Sequence, residues 1–358
     1  MSAHRCTRPH LCLGPVGQRG VTLVEWMVSI TIGMFLLVGL ALLYVQQSGF
    51  QAELEKTTRQ VENGRYAMQL LRQDIELAGY YGEYSGSVAL PGDMPDPCAT
   101  ALADLRSALA LPVQGVDAPI SSLPCGIAPA NHVDGTDILV LRHADTQTVS
   151  GALVAGQTYL QTGMRANALG FALDQASSTA LPASFDLKRK DGVTPAAVRS
   201  YLVHVYYLSP CSVPANGSTC SAAGNDDGGL SMPTLKRLEL QAAGGVAQFT
   251  TAALVEGIEN LQIDYGVDSV GDGSTGSTGD GSPDSFVTLP ATPTDWANVM
   301  ALRVHLLARS HERSSGYEDS KSYNLGLAGT TTPTRDGFRR HAFSQVIRLV
   351  NPSARRDQ

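Results

Sequence analysis

Charge is sparse in this sequence: Asp, Glu, Lys and Arg make up 16% of the 358 residues, and aromatic residues only 6%. No basic cluster is present and the formal net charge is −7, which argues against nucleic acid as a partner. G-x-S-x-G and H-E-x-x-H are absent, and no Cys has a convincing His partner. Scattered carboxylates single out no acid–base pair, so no enzymatic activity, catalytic residue or cofactor is expected. No cysteines are spaced C-x-x-C and no His stands at a zinc-like offset, so no metal site is expected either. Proline is missing from Gln46 to Gly79 although the chain holds 19 prolines and 36 glycines. That distribution suits one long helix followed by a loop-rich, β-containing extracytoplasmic domain.

The junction Arg19-Gly20-Val21-Thr22-Leu23-Val24-Glu25 runs straight into an apolar stretch from Trp26 to Val45. Twenty or so residues span about 30 Å as helix, enough to cross a bilayer. Glu25 is a lone carboxylate at the mouth of that stretch, where a charge carried to the bilayer centre costs roughly 2.5–3.5 kcal/mol. A cut after Gly20 would free an α-amine on Val21, one helical turn from Glu25, and that amine is the natural partner. Secretory signals have shorter apolar cores and a small-x-small cleavage site after them. Here Tyr44-Val45-Gln46-Gln47 follows, so the segment is expected to stay. Arg5, Arg8 and Arg19 precede it with no acid, orienting the N-terminus to the cytoplasm. Losing this leader would take the charge from −7 to about −10.

Apolar residues at Phe50, Leu54, Val61, Ala67, Leu70, Leu71, Leu77 and Ala78 continue a helical pattern, predicting one helix over 21–79. Glu62, Arg65, Arg72, Asp74 and Glu76 read as its polar positions. From Tyr80 the pattern becomes short β-rich runs between Gly/Ser/Pro/Asp stretches. Strands are predicted at 137–143, 200–208, 235–240, 261–265, 299–307 and 343–350, with a short helix within 99–111. A helix on a mainly antiparallel sheet is the α+β solution these pieces allow. Of six cysteines, Cys6 and Cys12 lie in the leader, leaving Cys98, Cys125, Cys211 and Cys220. In an oxidising compartment they can form two disulfides. Proximity favours Cys98–Cys125 and Cys211–Cys220, with three connectivities open. In the Gly-rich stretch 268–284, Gly271-x-Gly273-x-x-Gly276 lacks the strand–turn–helix context of a dinucleotide site. Asp268, Asp272, Asp280 and Asp284 there raise calcium as a minor alternative to a solvated loop.

The junction resembles the class III signal of type IV prepilins, with Val21 standing where Phe or Met is usual. Further blocks resemble the PilW family of type IV pilus minor pilins. These are Glu62-Asn63-Gly64-Arg65-Tyr66-Ala67, Leu70-Leu71-Arg72-Gln73-Asp74-Ile75 with Leu77-Ala78-Gly79-Tyr80, and Tyr265-Gly266-Val267-Asp268. Trp296 to Ser310 and Arg339 to Asn351 complete the set. The resemblance implies a type IV pilin-like fold and four segments: a leader (1–20), a membrane and assembly helix (21–45), its amphipathic continuation (46–79) and a periplasmic β-rich domain (80–358). It implies cleavage at Gly20–Val21 by a prepilin peptidase, N-methylation of Val21, and an assembly role for Glu25. The expected function is a minor pilin, held in the inner membrane by one span, that primes and stabilises pilus assembly. Expected partners are the prepilin peptidase, other minor pilins, the major pilin, the inner-membrane assembly machinery and a tip-associated adhesin. Two alternatives share the anchor: a minor pseudopilin of type II secretion, and a periplasmic binding domain that never polymerises.

Overall fold

The computed structural model describes residues 20–356 apart from 85, 87, 118–122, 166–167, 222–223, 270–278 and 334. Leader residues Arg5, Cys6, Arg8, Cys12 and Arg19, and loop residues Gly271, Asp272, Gly273 and Gly276, lie outside the described residues. The chain opens with α1 (Leu23–Leu77) and α2 (Leu102–Ser107), then β1 (Val113–Val116), β2 (Ile138–Ala144), β3 (Thr158–Arg165) and β4 (Ala168–Gln175). Next come β5 (Val198–Ser209), β6 (Thr234–Ala243), β7 (Val246–Glu256), β8 (Ile258–Val267) and β9 (Ser285–Val287). The chain closes with α3 (Pro293–Ala297), β10 (Val299–Arg309), β11 (Tyr323–Asn324), β12 (Thr330–Thr331), β13 (Arg340–Arg348) and α4 (Val350–Arg356). This is a type IV pilin-like α+β architecture.

Two compact units divide at Glu55 and Lys56. The first holds the early turns of α1, where nearly every side chain from Leu23 to Val45 is exposed. This part of α1 is long and apolar enough to cross a membrane. Ser29 and Thr31 do not interrupt it, because their hydroxyls donate back to the carbonyls of Glu25 and Met27 at 2.7 and 3.0 Å.

In the second unit α1 buries Gln60, Gly64, Ala67, Met68, Leu71, Asp74 and Ile75. The expected stripe needs correction here. Phe50 and Leu54 are exposed, and the buried face includes Asp74, which the pattern had assigned to the polar side. The helix ends at Gly79, whose φ of +72° is the left-handed value that favours glycine after a helix. Asn351 then reaches back, its Nδ2 donating to the carbonyls of Glu76, Leu77 and Ala78 at 3.2–3.4 Å. Those are carbonyls that a helix end leaves without an internal partner.

A seven-stranded sheet is built around β5, which pairs with β2, β3 and β6; β1 flanks β2, β4 flanks β3 and β7 flanks β6. A four-stranded sheet runs β13-β10-β8-β9, and the strand pairs are antiparallel throughout. One core joins Ala67, Leu71 and Ile75 of α1 to Leu139, Leu141, Tyr206 and Leu208 of the first sheet. The same core takes in Leu261, Ile263, Leu302, Val304 and Leu306 of the second. A further core covers the other face of β2 and β5, through Ile138, Val140, Val203 and Val205, with Leu105 and Leu109. Burial on both faces is why these two strands read as near-continuous apolar runs.

Two expectations shift in detail. The strand predicted over 343–350 stops at Arg348, and Val350 opens α4. Two hairpins escaped the sequence reading, β3–β4 and the β7 arm of β6–β7. Strand β3 carries little apolar alternation and β7 is mostly exposed or half-buried; β4 does alternate at Leu169, Phe171 and Leu173, over a run too short to stand out.

The structure joins Cys98 to Cys125 and Cys211 to Cys220. The enclosed spans are 27 and 9 residues, so chain-entropy arguments assign about 3–4 and about 2–3 kcal/mol. Replacing each pair by alanine is expected to lower stability in that order, as read by urea unfolding of the oxidised protein. The reverse order would mean that the shorter loop, organised by Asp226 and Asp227 through backbone N–H groups, depends on its bridge for native geometry.

Candidate functional site

Gly20 to Glu25 forms the approach to α1 and its first turn. Thr22 Oγ1 accepts the Glu25 backbone N–H at 3.3 Å, satisfying one of the donors that a helix start leaves free. The helix can therefore begin directly beside the predicted cut without further capping. Glu25 is exposed, as are Gly20 and Val21.

A second polar constellation is wholly buried, and sequence reasoning missed it. Alternation along β2 and β5 turns His143, His204 and Tyr206 to the side that also carries Leu139, Leu141 and Leu208, the side α1 occupies. There they meet Asp74. His143 Nε2 lies 2.8 Å from Asp74 Oδ1, and His204 Nδ1 lies 2.8 Å from Oδ2. The Tyr206 hydroxyl donates to Oδ2 at 2.8 Å. His143 Nδ1 is 2.9 Å from the Ala144 carbonyl. Behind His204, Glu239 Oε1 lies 3.9 Å from Nε2 and is held by Arg237 at 2.7 Å.

Burial by itself would raise the Asp74 carboxyl; hydrogen bonds from His143 and His204 override it and hold the group well below the ordinary carboxylate range. Burial pushes His204 down, and its bond to Asp74 together with the nearby Glu239 carboxylate leaves it raised overall. The Glu239 carboxyl falls to about 2, chiefly through the His204 ring 3.9 Å away. Desolvation and the Asp74 charge raise Tyr206. Chemically, the cluster fastens the last turns of α1 to two strands through one carboxylate. A signal for it existed: Gln60, Ala67 and Asp74 are spaced by sevens, so Asp74 falls on the same helical face as two buried residues.

The remaining motif residues have structural partners. Asn63 Nδ2 donates to the Glu256 carbonyl at 3.1 Å, and Gly64 leaves room for the Phe343 ring, which an added Cβ would strike. Tyr265 packs edge-on to Trp296 at 4.7 Å, and Arg303 stacks over Phe286 at 4.0 Å. Arg340 is buried between Glu259 and Asp336, at 2.9 and 2.6 Å. Burial opposes its charge, and those bonds more than offset the penalty.

The described acids of the Gly-rich loop turn to protein donors. Asp268 Oδ2 accepts from Arg356 Nη1 at 3.0 Å and the Gly281 N–H at 2.8 Å. Asp284 accepts from Ser269 and Asp280 from the Ser282 N–H. An arginine against Asp268 disfavours a calcium ion at that oxygen.

An N-terminal apolar helix carrying Glu25 in its first turn, on a pilin-like α+β domain, defines a type IV pilus-related pilin. Residues 16–41 match the prokaryotic N-terminal methylation motif. Residues 221–351 match the family described as Type IV Pilus-assembly protein W, PilW. These two segments make the C-terminal part of the chain similar to PilW and its N-terminus similar to a class III prepilin signal, and together they support a type IV pilus-related pilin. The PilW match runs from just before β6 into α4 and contains the Tyr265, Trp296–Ser310 and Arg339–Asn351 blocks. The Glu62–Ala67 and Leu70–Tyr80 blocks lie outside it. No curated protein and no solved structure matches the chain significantly.

Proposed function

We propose that this protein is a minor pilin that primes and stabilises type IV pilus assembly. A prepilin peptidase cuts between Gly20 and Val21 and methylates the new amine; glycine suits the cut because it lets the chain lie extended in a protease cleft. One span holds the protein in the inner membrane, with the unit from Lys56 onward in the periplasm. Glu25 then pairs with the N-terminal amine of a neighbouring pilin, since leaving the carboxylate unpaired among packed helices is costly. That pairing sets axial register. The role is structural, and no catalysis is assigned to it. Partners are the peptidase, other minor pilins, the major pilin, the inner-membrane assembly machinery and a tip-associated adhesin.

The observation that carries this reading is the presence of the methylation motif and the PilW match in one chain. A pseudopilin of type II secretion would share the first without the second. The test is a deletion strain in which surface pili and type II secretion are scored together. Loss of pili with intact secretion, restored by the intact gene, supports the minor pilin. Loss of secretion with normal pili supports the pseudopilin, and neither loss supports a membrane-anchored binding domain.

A further inference from the structure

We infer that Asp74, His143 and His204 form a site for a divalent transition metal, zinc above all, that pins α1 to β2 and β5. Sequence offsets concealed it, because the two histidines lie 69 and 130 residues from Asp74. The fold brings one carboxylate oxygen and one imidazole nitrogen from each ring within 4.8 Å of one another, all buried. Carboxylate and imidazole are the ligands zinc takes alongside thiolate. With the four described cysteines in disulfides, no thiolate among them competes for the ion.

His143 Nδ1 faces the Ala144 carbonyl at 2.9 Å, which can only accept, so Nδ1 holds a proton. A neutral His143 therefore turns a bare lone pair from Nε2 toward Asp74 Oδ1. For His204 the outward nitrogen, Nε2, is buried without a hydrogen-bond partner and lies 3.9 Å from Glu239 Oε1. A proton on that nitrogen would give the Glu239 carboxylate a donor and leave Nδ1 a lone pair facing Asp74.

Without metal, satisfying every group requires two doubly protonated imidazoles buried against one aspartate. A divalent ion replaces the two inward N–H protons, which leave to solvent, and keeps the local charge the same. Each ring then has the arrangement that zinc-bound histidine commonly shows, with its outer N–H directed at a carbonyl or a carboxylate. Zinc–ligand distances near 2.0–2.1 Å require the 2.8 Å contacts to open by about half an ångström. Side-chain rotation on a helix and two strands supplies that. Tyr206 Oη, 2.8 Å from Asp74 Oδ2, closes the remaining side. Three protein ligands leave the fourth zinc position to a water or to Tyr206 Oη; burial of the whole set away from solvent makes the metal a structural pin.

The test uses the untagged, processed full chain in detergent, stripped with chelator and titrated with Co²⁺ and then Zn²⁺. The expected result is one Co²⁺ per chain with the strong visible bands of tetrahedral coordination. Zn²⁺ should displace it with a Kd at or below about 1 µM, and Zn²⁺ should raise Tm. The double variant His143→Gln/His204→Gln should lose more than about 100-fold in affinity. Wild-type protein that takes up no stoichiometric Co²⁺, or whose Tm is unmoved by Zn²⁺, overturns the site without reference to any variant. So does a folded double variant that binds as the wild type does. None of these readouts depends on filament assembly.

Discussion

Replacing Asp74 by alanine is expected to lower the unfolding free energy of the metal-free protein by about 3–5 kcal/mol. The size follows from what the change leaves behind. His143 and His204 are 3% and 5% exposed, and both direct an imidazole at the carboxylate that would be gone. Tyr206, equally buried, would lose its acceptor. Three polar groups without partners cost more than the loss of a hydrogen bond whose partners can turn to water. The control is Glu76→Ala, two residues away on the same helix. Its partner Arg72 is half-exposed and the pair is an i,i+4 surface bridge, so a change within about 0.5 kcal/mol is expected. Urea unfolding of both variants, followed by circular dichroism, decides the matter. Equal destabilisation would show that the buried network is not what fastens this helix.

Replacing Glu25 by leucine is expected to have the largest functional effect while leaving the molecule folded and in the membrane. A charge at the mouth of the span opposes insertion, so removing it strengthens membrane retention. The domain that begins at Lys56 is untouched. If Glu25 pairs with a neighbour's amine, the variant should be cleaved at Gly20 yet fall at least about tenfold in the sheared filament fraction. The tenfold reflects the loss of one ionic contact among desolvated helices, worth more than about 1.4 kcal/mol. Quantitative immunoblotting of membrane and sheared fractions reads both halves of this result. Incorporation at the wild-type level would remove Glu25 from assembly and favour an anchor that never polymerises.

The elements that could be read in the sequence are those with a strong local signature. Helix α1 was legible from the missing prolines and was predicted within two residues at either end. Strands β2, β5, β8 and β10 were legible because burial on one or both faces writes an apolar run. The β3–β4 hairpin and β7 were not: β3 is interior and buried, but its Thr, Gln and Gly positions break the apolar run, and β7 is a mostly exposed or half-buried edge strand that writes no such pattern. The Asp74 cluster was hidden for a different reason. A charged residue on a helix normally marks the solvent face, and nothing local to Asp74 announces two histidines on separate strands. Only the register of β2 against β5, with Leu141 opposite His204 and His143 opposite Leu202, brings the rings to the same carboxylate. Asn351 shows the same limit: its role lies in the carbonyls of Glu76, Leu77 and Ala78, some 275 residues earlier.

A prepilin whose mature form begins at Val21 is identified by its intact mass. The protein is extracted from membranes with and without a co-expressed prepilin peptidase and weighed whole. Loss of residues 1–20 together with one added methyl group is expected only when the peptidase is present. A full-length mass in both preparations, or a cut beyond Val45, would contradict it and leave Glu25 as a charge in an ordinary anchor.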